Sequence, residues 1–121
     1  MAKRRTNPDF LNGVPELLVL RLLDREPMYG YQLVQQIALV TGERLEFGEG
    51  CIYPLLHRLE GEGTLSARKQ LVGGRQRVVY RVTRAGKKKL AACTARWTRV
   101  VEAVEMVLQG GKHEQSQTAI V

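Results

Sequence analysis

The feature that most constrains this chain is a short segment, residues 50–63, whose side chains divide between two unlike faces. At 100° per residue in a helix, one face is an apolar stripe made of Ile52, Leu55, Leu56 and Leu59. The opposite face carries small, flat or hydrogen-bonding residues: Gly50, Tyr53, Pro54 and His57, flanked by Cys51 and Arg58. Because Pro54 is tolerated only near a helix start, the helix is predicted to begin around residues 49–51 and to end at Gly61 or Gly63.

A helix that is buried along its apolar face and exposes small, polar and partly basic side chains on the other face suits the DNA major groove, which admits one α-helix. A preceding helix is predicted to open at Met28-Tyr29-Gly30-Tyr31, to run to about Thr41 and to stop at Gly42. Two helices joined by a short connector, the second with an exposed lean face, indicate a helix-turn-helix. Gly30 is expected to serve close packing or the close approach of a backbone.

The first helix is predicted from Phe10 to about Arg25, capped by Asp9 or, with a later start, by Asn12. Its apolar residues occupy most of its circumference, which indicates burial on more than one side, against its own core and a second subunit. Pro27 ends it, because the residue before a proline leaves the helical region.

Residues 64–72 and 76–83 are strand-like, and Gly73-Gly74-Arg75 between them is typical of a hairpin turn. Val78, Tyr80 and Val82 alternate with Arg77 and Arg81 at the period of a strand. The hairpin is rich in cations: Arg68, Lys69, Arg75, Arg77 and Arg81. A basic hairpin directly after a helix-turn-helix is interpreted as a wing that contacts the DNA backbone, the alternative being a solvated basic hairpin.

The last helix is predicted from Arg84 to Gln109, with Thr83 as its cap. An a/d-type stripe runs along it: Leu90, Cys93, Trp97, Val100, Val104 and Val107. A helix this long has little of a small winged domain to pack on, so the stripe is predicted to pair with the same helix of a second subunit. We therefore divide the chain into a basic N-terminal arm (1–8), a winged helix-turn-helix (9–83), a dimerisation helix (84–109) and a disordered tail (110–121). The fold class is mainly α with a small β-hairpin, that is, α+β.

The net charge of the chain indicates which class of molecule it binds. Nineteen Lys and Arg against twelve Asp and Glu give a net charge of +7, which favours a polyanion such as nucleic acid over a membrane surface, although a solvated basic surface is the plain alternative. Cys51 and Cys93 lack the spacing of a zinc site, and two isolated thiols fit a reducing cytoplasm. We expect no signal peptide and no membrane span. With two histidines, His57 and His113, and no nucleophile–base pattern, metal spacing or phosphate loop, we expect no enzyme, metal or cofactor.

Three motifs at the right spacing resemble the PadR family of transcriptional regulators. They are Pro27-Met28-Tyr29-Gly30-Tyr31, the segment from Cys51 to Gly63, and Gly74-Arg75 followed by Tyr80-Arg81-Val82-Thr83-Arg84-Ala85-Gly86. The resemblance covers roughly residues 10–108 and fits the small subfamily with a single C-terminal helix. Many relatives have Ser or Thr at the position of Cys51, where a hydroxyl could cap the helix or bind a phosphate, and a thiol does either poorly. A thiol at a helix N-terminus is also the one hint of redox control, and the alternative is a small, packed side chain.

The resemblance implies a homodimeric regulator, mostly a repressor, whose third helices enter successive major grooves of an inverted repeat. It also implies release by a small aromatic or apolar effector. Two copies of Trp97 across a two-fold axis could wall an apolar effector cavity, whereas the alternative is plain core packing.

The predicted DNA-binding residues combine the lean face of the third helix with the wing: Gly50, Cys51, Tyr53, Pro54, His57, Arg58, Lys69, Arg75 and Arg77. Tyr53 and His57 are expected at the groove, and Arg58 at a phosphate. The alternative function is a winged adaptor that binds a protein and no specific DNA sequence, since a fold does not fix a function.

Overall fold

A computed structural model describes residues 13–110 of the chain. Its elements follow in order: α1 Val14–Arg25, β1 Met28–Tyr29, α2 Gly30–Val40, α3 Glu49–Gly61, β2 Leu65–Val72, β3 Arg75–Val82 and α4 Arg84–Leu108. Four helices and one antiparallel sheet confirm the predicted α+β class, with a β-hairpin placed directly after two consecutive helices. The predicted basic arm, Phe10 with its two capping candidates, and residues 111–121 of the predicted tail lie outside the described residues.

The start of α1 differs from the prediction. The helix begins at Val14 and not at Phe10, because Gly13 is its N-cap with a φ of 91°, a left-handed conformation that ends helical continuity on that side. Pro15 follows in the first turn, where its missing N–H costs no hydrogen bond. The predicted end at Arg25 is confirmed, since Glu26 is extended before Pro27.

Met28 and Tyr29 do not open the second helix as predicted. They form strand β1, which pairs with β3 through Met28↔Tyr80 and Tyr29↔Val79. Two extended residues are too few to show an alternating pattern, so this strand has no signal of its own in the sequence. Helix α2 therefore begins at Gly30, and Gly42, with a φ of 63°, stops it as predicted.

Strand β3 is the centre of the three-stranded sheet, in the order β1–β3–β2. The hairpin register runs from Leu65↔Val82 to Val72↔Arg75, so the turn is the two residues Gly73 and Gly74 and does not include Arg75. Both glycines have positive φ, 59° and 81°, which a two-residue hairpin loop requires.

Helix α3 is anchored by the stripe that the sequence predicted. Ile52, Leu56 and Leu59 are fully buried, and Leu55 is half-buried. They join a core built from every neighbouring element, including Leu20, Leu33, Ile37 and Leu65. The predicted bounds of α3 are confirmed, although Pro54 lies in its second turn, where it leaves the Gly50 carbonyl without its usual helical donor.

The junction between β3 and α4 is a compact set of hydrogen bonds around Thr83. The Gly86 N–H donates to Thr83 Oγ1 at 3.1 Å, which confirms the predicted cap. Thr83 Oγ1 lies 2.6 Å from the Gly63 carbonyl oxygen, and the Thr83 N–H donates to the Thr64 carbonyl at 3.1 Å. A Cβ on Gly86 would overlap that same carbonyl oxygen, so only glycine fits here.

The chain divides into two compact units, one ending at Leu90 and one beginning at Ala91. In the second unit, the rest of α4 carries exposed apolar side chains: Trp97, Val100, Val104, Met106, Val107 and Leu108. Cys93 on the same helix is buried. No helix between residues 13 and 110 has both the length and the apolar character needed to cross a membrane.

Gly86→Ala is expected to lower the free energy of unfolding by about 1–3 kcal/mol, because the added methyl overlaps a carbonyl held by its own hydrogen bond. Gly61→Ala is the matched control, since a Cβ there meets nothing within 4 Å. Its stability should be unchanged or higher by up to about 1 kcal/mol from helix propensity. Urea denaturation measures both, and equal stability of the two variants would contradict the packing at Gly86.

Candidate nucleic-acid interface

The outward face of α3 carries the residues that the sequence placed there. Gly50, Tyr53, Pro54 and His57 are exposed, whereas Cys51 is half-buried. The orientation of α3 about its axis follows from its buried apolar stripe. Because that stripe packs on the core, only the opposite face is exposed. The face is free of bulky aliphatic side chains, so another surface can approach its backbone closely.

Tyr53 is the exposed aromatic of this face, and Gly30 fixes its position. A Cβ on Gly30 would overlap the ring carbon Cε1 of Tyr53, which shows that the ring lies directly on the α2 backbone. The residue keeps 36% of its surface exposed. The predicted role of Gly30 in close packing is thus the seating of an aromatic ring from the following helix.

Between α3 and the hairpin lies a cleft of about 250 Å³, here called the α3–hairpin cleft. Its lining includes Tyr29, Gly30, Tyr53, His57, Gln76 and Arg77. It opens where β1 ends, because β1 pairs with Tyr80 and Val79 but no further along β3. The cleft therefore joins Tyr53 and His57 of the α3 face to one hairpin arginine, Arg77, in one concave surface.

Arg77 enters this cleft stacked on an aromatic ring. Its guanidinium carbon lies 4.2 Å from the centroid of the Tyr29 ring, within the range of a cation–π contact. The side-chain Nε is buried and donates to no atom of the described residues. Arg77 also forms no salt bridge with any carboxylate between residues 13 and 110.

The register divides the hairpin cations between two faces. Directly paired residues share a face, so Arg68, paired with Val79, lies on the same side as Arg77, and Arg75 and Arg81 join them by the period of two. Lys69 pairs with Val78 and lies on the other side. The predicted anchors Lys69, Arg75 and Arg77 therefore do not form a single patch.

Two residues of the arginine face, Arg68 and Arg81, were not among the predicted contacts, and the alternation along β3 held a signal for Arg81 alone. Arg68 is exposed, and Arg81 Nη2 donates to Gln70 Oε1 at 3.1 Å. The period of two alone groups Arg81 with Arg77, but the predicted three-residue turn would have paired Arg68 with Tyr80, on the other face. Only the two-residue turn of the structure brings Arg68 to the face of Arg77.

Arg58 has a different environment from the arginines of the hairpin. Its two terminal nitrogens lie 2.9 Å from Glu16 Oε1 and 3.0 Å from Glu62 Oε2. Lys89 completes the cluster, with Nζ at 2.9 Å from Glu16 and 3.1 Å from Glu62. The cluster ties α1, the end of α3 and the first turns of α4 together, so the Arg58 charge is already matched within the protein.

The cluster shifts the titration of its acids downward. Partial burial would raise the pKa of Glu16, but hydrogen bonds from Lys89 and Arg58 outweigh this effect and lower it. Hydrogen bonds from Lys89 and Arg58 likewise lower the pKa of Glu62. The pKa values of Lys89 and Arg58 are raised, chiefly by their hydrogen bonds to Glu16. All four groups are therefore charged at neutral pH.

Cys51 lines a second groove, of about 320 Å³, together with Gly13, Pro15, Glu16, Pro54, Leu55 and Arg58. It takes part in no disulfide within the described part of the chain. Within that same part, no group of three or more His, Cys, Asp or Glu side chains is placed to hold a metal ion.

Comparison with known proteins gives one consistent result. Residues 19–92 match the model of the transcriptional regulator PadR-like family. The transcriptional regulator Rv3488 of Mycobacterium tuberculosis is 34% identical over 105 residues, which cover 87% of this chain and 92% of that protein. A PadR family transcriptional regulator from Eggerthella lenta has a similar crystal structure, with a TM-score of 0.72, 33% identity and coverage of 84% and 87% of the two chains. A PadR-like regulator from Bacillus cereus gives a TM-score of 0.73, 29% identity and coverage of 84% and 98%.

Glu16→Gln is expected to lower the free energy of unfolding by about 1 kcal/mol near neutral pH, because Glu16 accepts from both cations of the cluster. Since the folded pKa of Glu16 and Glu62 lies below the ordinary value of 4.5, this stabilisation is present above that pH and is lost as the pH falls through the lowered values. Urea denaturation near pH 7 and near pH 3 should show the difference between wild type and variant closing in acid.

Glu46→Gln, an exposed acid in the α2–α3 connector, is the control for this experiment and should match the wild type at both pH values. A difference between Glu16→Gln and the wild type that stays constant with pH would show that packing, and not charge, makes Glu16 stabilising.

Proposed function

Because this chain belongs to the PadR-like family of transcriptional regulators, we propose that it is a cytoplasmic, sequence-specific DNA-binding regulator that acts as a homodimeric repressor on an inverted-repeat operator. The observation that carries the proposal is the joint surface of α3 and the hairpin. There, an exposed helix face free of aliphatic bulk adjoins a cleft holding an arginine with no carboxylate partner among residues 13–110.

The exposed face of α3 makes the contacts to DNA bases that distinguish one DNA sequence from another. His57 offers a ring nitrogen as donor or acceptor, and Tyr53 offers a hydroxyl from a ring that Gly30 holds in place. The side chains at the start of α3 are small, which allows the helix backbone to approach the base edges; they belong to Gly50, Cys51 and Pro54. These contacts distinguish sequences but contribute the smaller share of affinity.

The hairpin supplies the charge. Arg68, Arg75 and Arg77 share one face and contact phosphates along the strand that borders the groove occupied by α3. Lys69, on the other face, contacts a phosphate nearer to α3. Arg58 stabilises the position of α3 through Glu16 and Glu62, and its half-exposed side chain keeps further N–H donors for a phosphate next to α3.

The dimer forms through the exposed stripe of α4. Trp97, Val100 and Val104 each keep nearly half of their surface exposed, and Val107 keeps 80%. Apolar side chains repeating at spacings of three and four along a helix favour pairing with a second helix of the same kind. Leu90 and Cys93, which begin the same stripe, are already buried within the subunit, so the exposed part of the stripe starts at Trp97. The two Trp97 rings across the two-fold axis would wall an apolar cavity for a small aromatic effector that releases the DNA.

DNA binding is measured by titrating the purified protein into labelled DNA from upstream of its own gene, at several salt concentrations and against scrambled DNA. We expect tight binding to the upstream DNA with a steep salt dependence. Arg75→Ala should weaken binding to both DNAs alike and lower the salt slope by about one, whereas His57→Ala should mainly reduce the preference between them.

Arg25→Ala is the charge-matched control, because Arg25 lies at the end of α1 and lines neither α3 nor the cleft. An equal loss of affinity in Arg25→Ala and Arg75→Ala would reduce the effect to net charge. Weak, equal binding of the wild type to every DNA tested would favour the adaptor function, and a search for protein partners would follow.

Assembly is tested by sedimentation equilibrium of the full chain, whose subunit mass is 13.6 kDa. Val104→Glu places a charge in the apolar stripe and should shift the dimer to a monomer at micromolar concentration, while Ala95→Glu on the opposite side of α4 should leave the dimer intact. A wild-type monomer over the whole concentration range would refute assembly through α4.

A further inference from the structure

Arg58, on α3, and Arg77, which lines the cleft beside α3, differ in the groups that surround their positive charge. Arg58 is held between Glu16 and Glu62. Arg77 is half-buried, has no carboxylate partner among residues 13–110, and has its Nε buried and without a hydrogen-bond acceptor there. Partial burial of a charge without a counter-charge costs free energy, and a protein retains such a charge where an anion completes the site.

What holds Arg77 in this position is Tyr29. The pairing Tyr29↔Val79 places the Tyr29 ring on the arginine face of the sheet, and Arg77, two residues before Val79, stands diagonally across from it. Diagonal neighbours on adjacent strands are within reach of long and aromatic side chains. The guanidinium spans this diagonal and lies 4.2 Å from the ring centroid.

We propose that Tyr29 is a positioning residue for DNA binding, which holds the Arg77 guanidinium in the α3–hairpin cleft as a preformed seat for one DNA phosphate. The inference rests on the proposed function and assigns a role in it to a residue of β1. Without the ring, Arg77 would be one more long side chain free to sample several rotamers. With it, the guanidinium is ordered before DNA arrives, so less side-chain entropy is lost on binding.

The position of the cleft beside α3 favours a DNA phosphodiester as the anion that Arg77 binds. A planar guanidinium donates two parallel hydrogen bonds to a pair of phosphate oxygens. The cleft is continuous with the exposed face of α3 through Tyr53 and His57, so a strand whose bases face α3 brings its backbone past Arg77. Tyr29 therefore acts on affinity through Arg77 and not through a contact of its own.

A double-mutant cycle on the full chain tests the proposal, with affinity for the upstream DNA as the readout. Tyr29→Leu removes the ring but keeps an apolar side chain on β1, and it should weaken binding about fivefold. Tyr29→Phe keeps the ring and loses only the hydroxyl, so it should bind within about twofold of the wild type. Arg77→Ala should weaken binding more than Tyr29→Leu and lower the salt slope by about one.

The decisive comparison is Tyr29→Leu in the Arg77→Ala background, where it should have no further effect on affinity. The same fivefold loss there would overturn the proposal, because Tyr29 would then act independently of Arg77. Wild-type affinity in Tyr29→Leu, with the fold intact by thermal melting, would overturn it as well. Loss of binding in Tyr29→Phe would assign the effect to the hydroxyl and refute the stacking role.

Neutral methylphosphonate links, placed one at a time in the DNA, then locate the phosphate. One position should weaken the wild type and have no effect on Arg77→Ala, and no such position would contradict a phosphate seat at Arg77. These outcomes are separate from failure of the proposed function, in which the wild type itself shows no salt-dependent preference for the upstream DNA.

Discussion

Burial of one side of α3 is the constraint on which the rest of this structure depends. Ile52, Leu56 and Leu59 are fully buried among residues from α1, α2 and β2, and this fixes the rotation of α3 about its axis. The exposed face is a consequence, because side chains spaced three and four apart share one side of a helix and leave the other free. The position of every candidate DNA contact on α3 follows from the packing of residues that touch no ligand.

Hydrogen bonds and ion pairs also fix the C-terminal end of α3 in position. The hydrogen bonds of Thr83 to the carbonyls of Gly63 and Thr64 join the segment after α3 to the start of α4, with Gly86 allowing the two backbones to meet. The cluster of Arg58, Glu62, Glu16 and Lys89 lies close by and ties the same two helices to α1. In the unit that ends at Leu90, the candidate reading helix and the first turns of α4 therefore share one rigid attachment.

The arginines of this protein fall into two groups according to the side chains around them. Arg58 lies on α3 and forms salt bridges with carboxylates. Arg77, beside α3, stacks on an aromatic ring and forms no salt bridge with a carboxylate among residues 13–110. The net charge of +7 thus contains cations that stabilise the fold and cations that remain available to an anion.

The sequence by itself determined the helices, the hairpin and the two faces of α3, because those features depend on local spacing: apolar residues three and four apart, alternation in the hairpin, and glycine or proline at the ends. It also identified the family through motifs that lie within continuous segments. Strand β1 and the partners of each arginine were decided by tertiary structure alone. Met28 and Tyr29 form a strand only because the edge of β3 is there to pair with them. Glu16 and Lys89 are 73 positions apart in the chain, and they form ion pairs only because α1 and α4 pack beside α3. Such contacts join residues distant in sequence, and no local pattern records them.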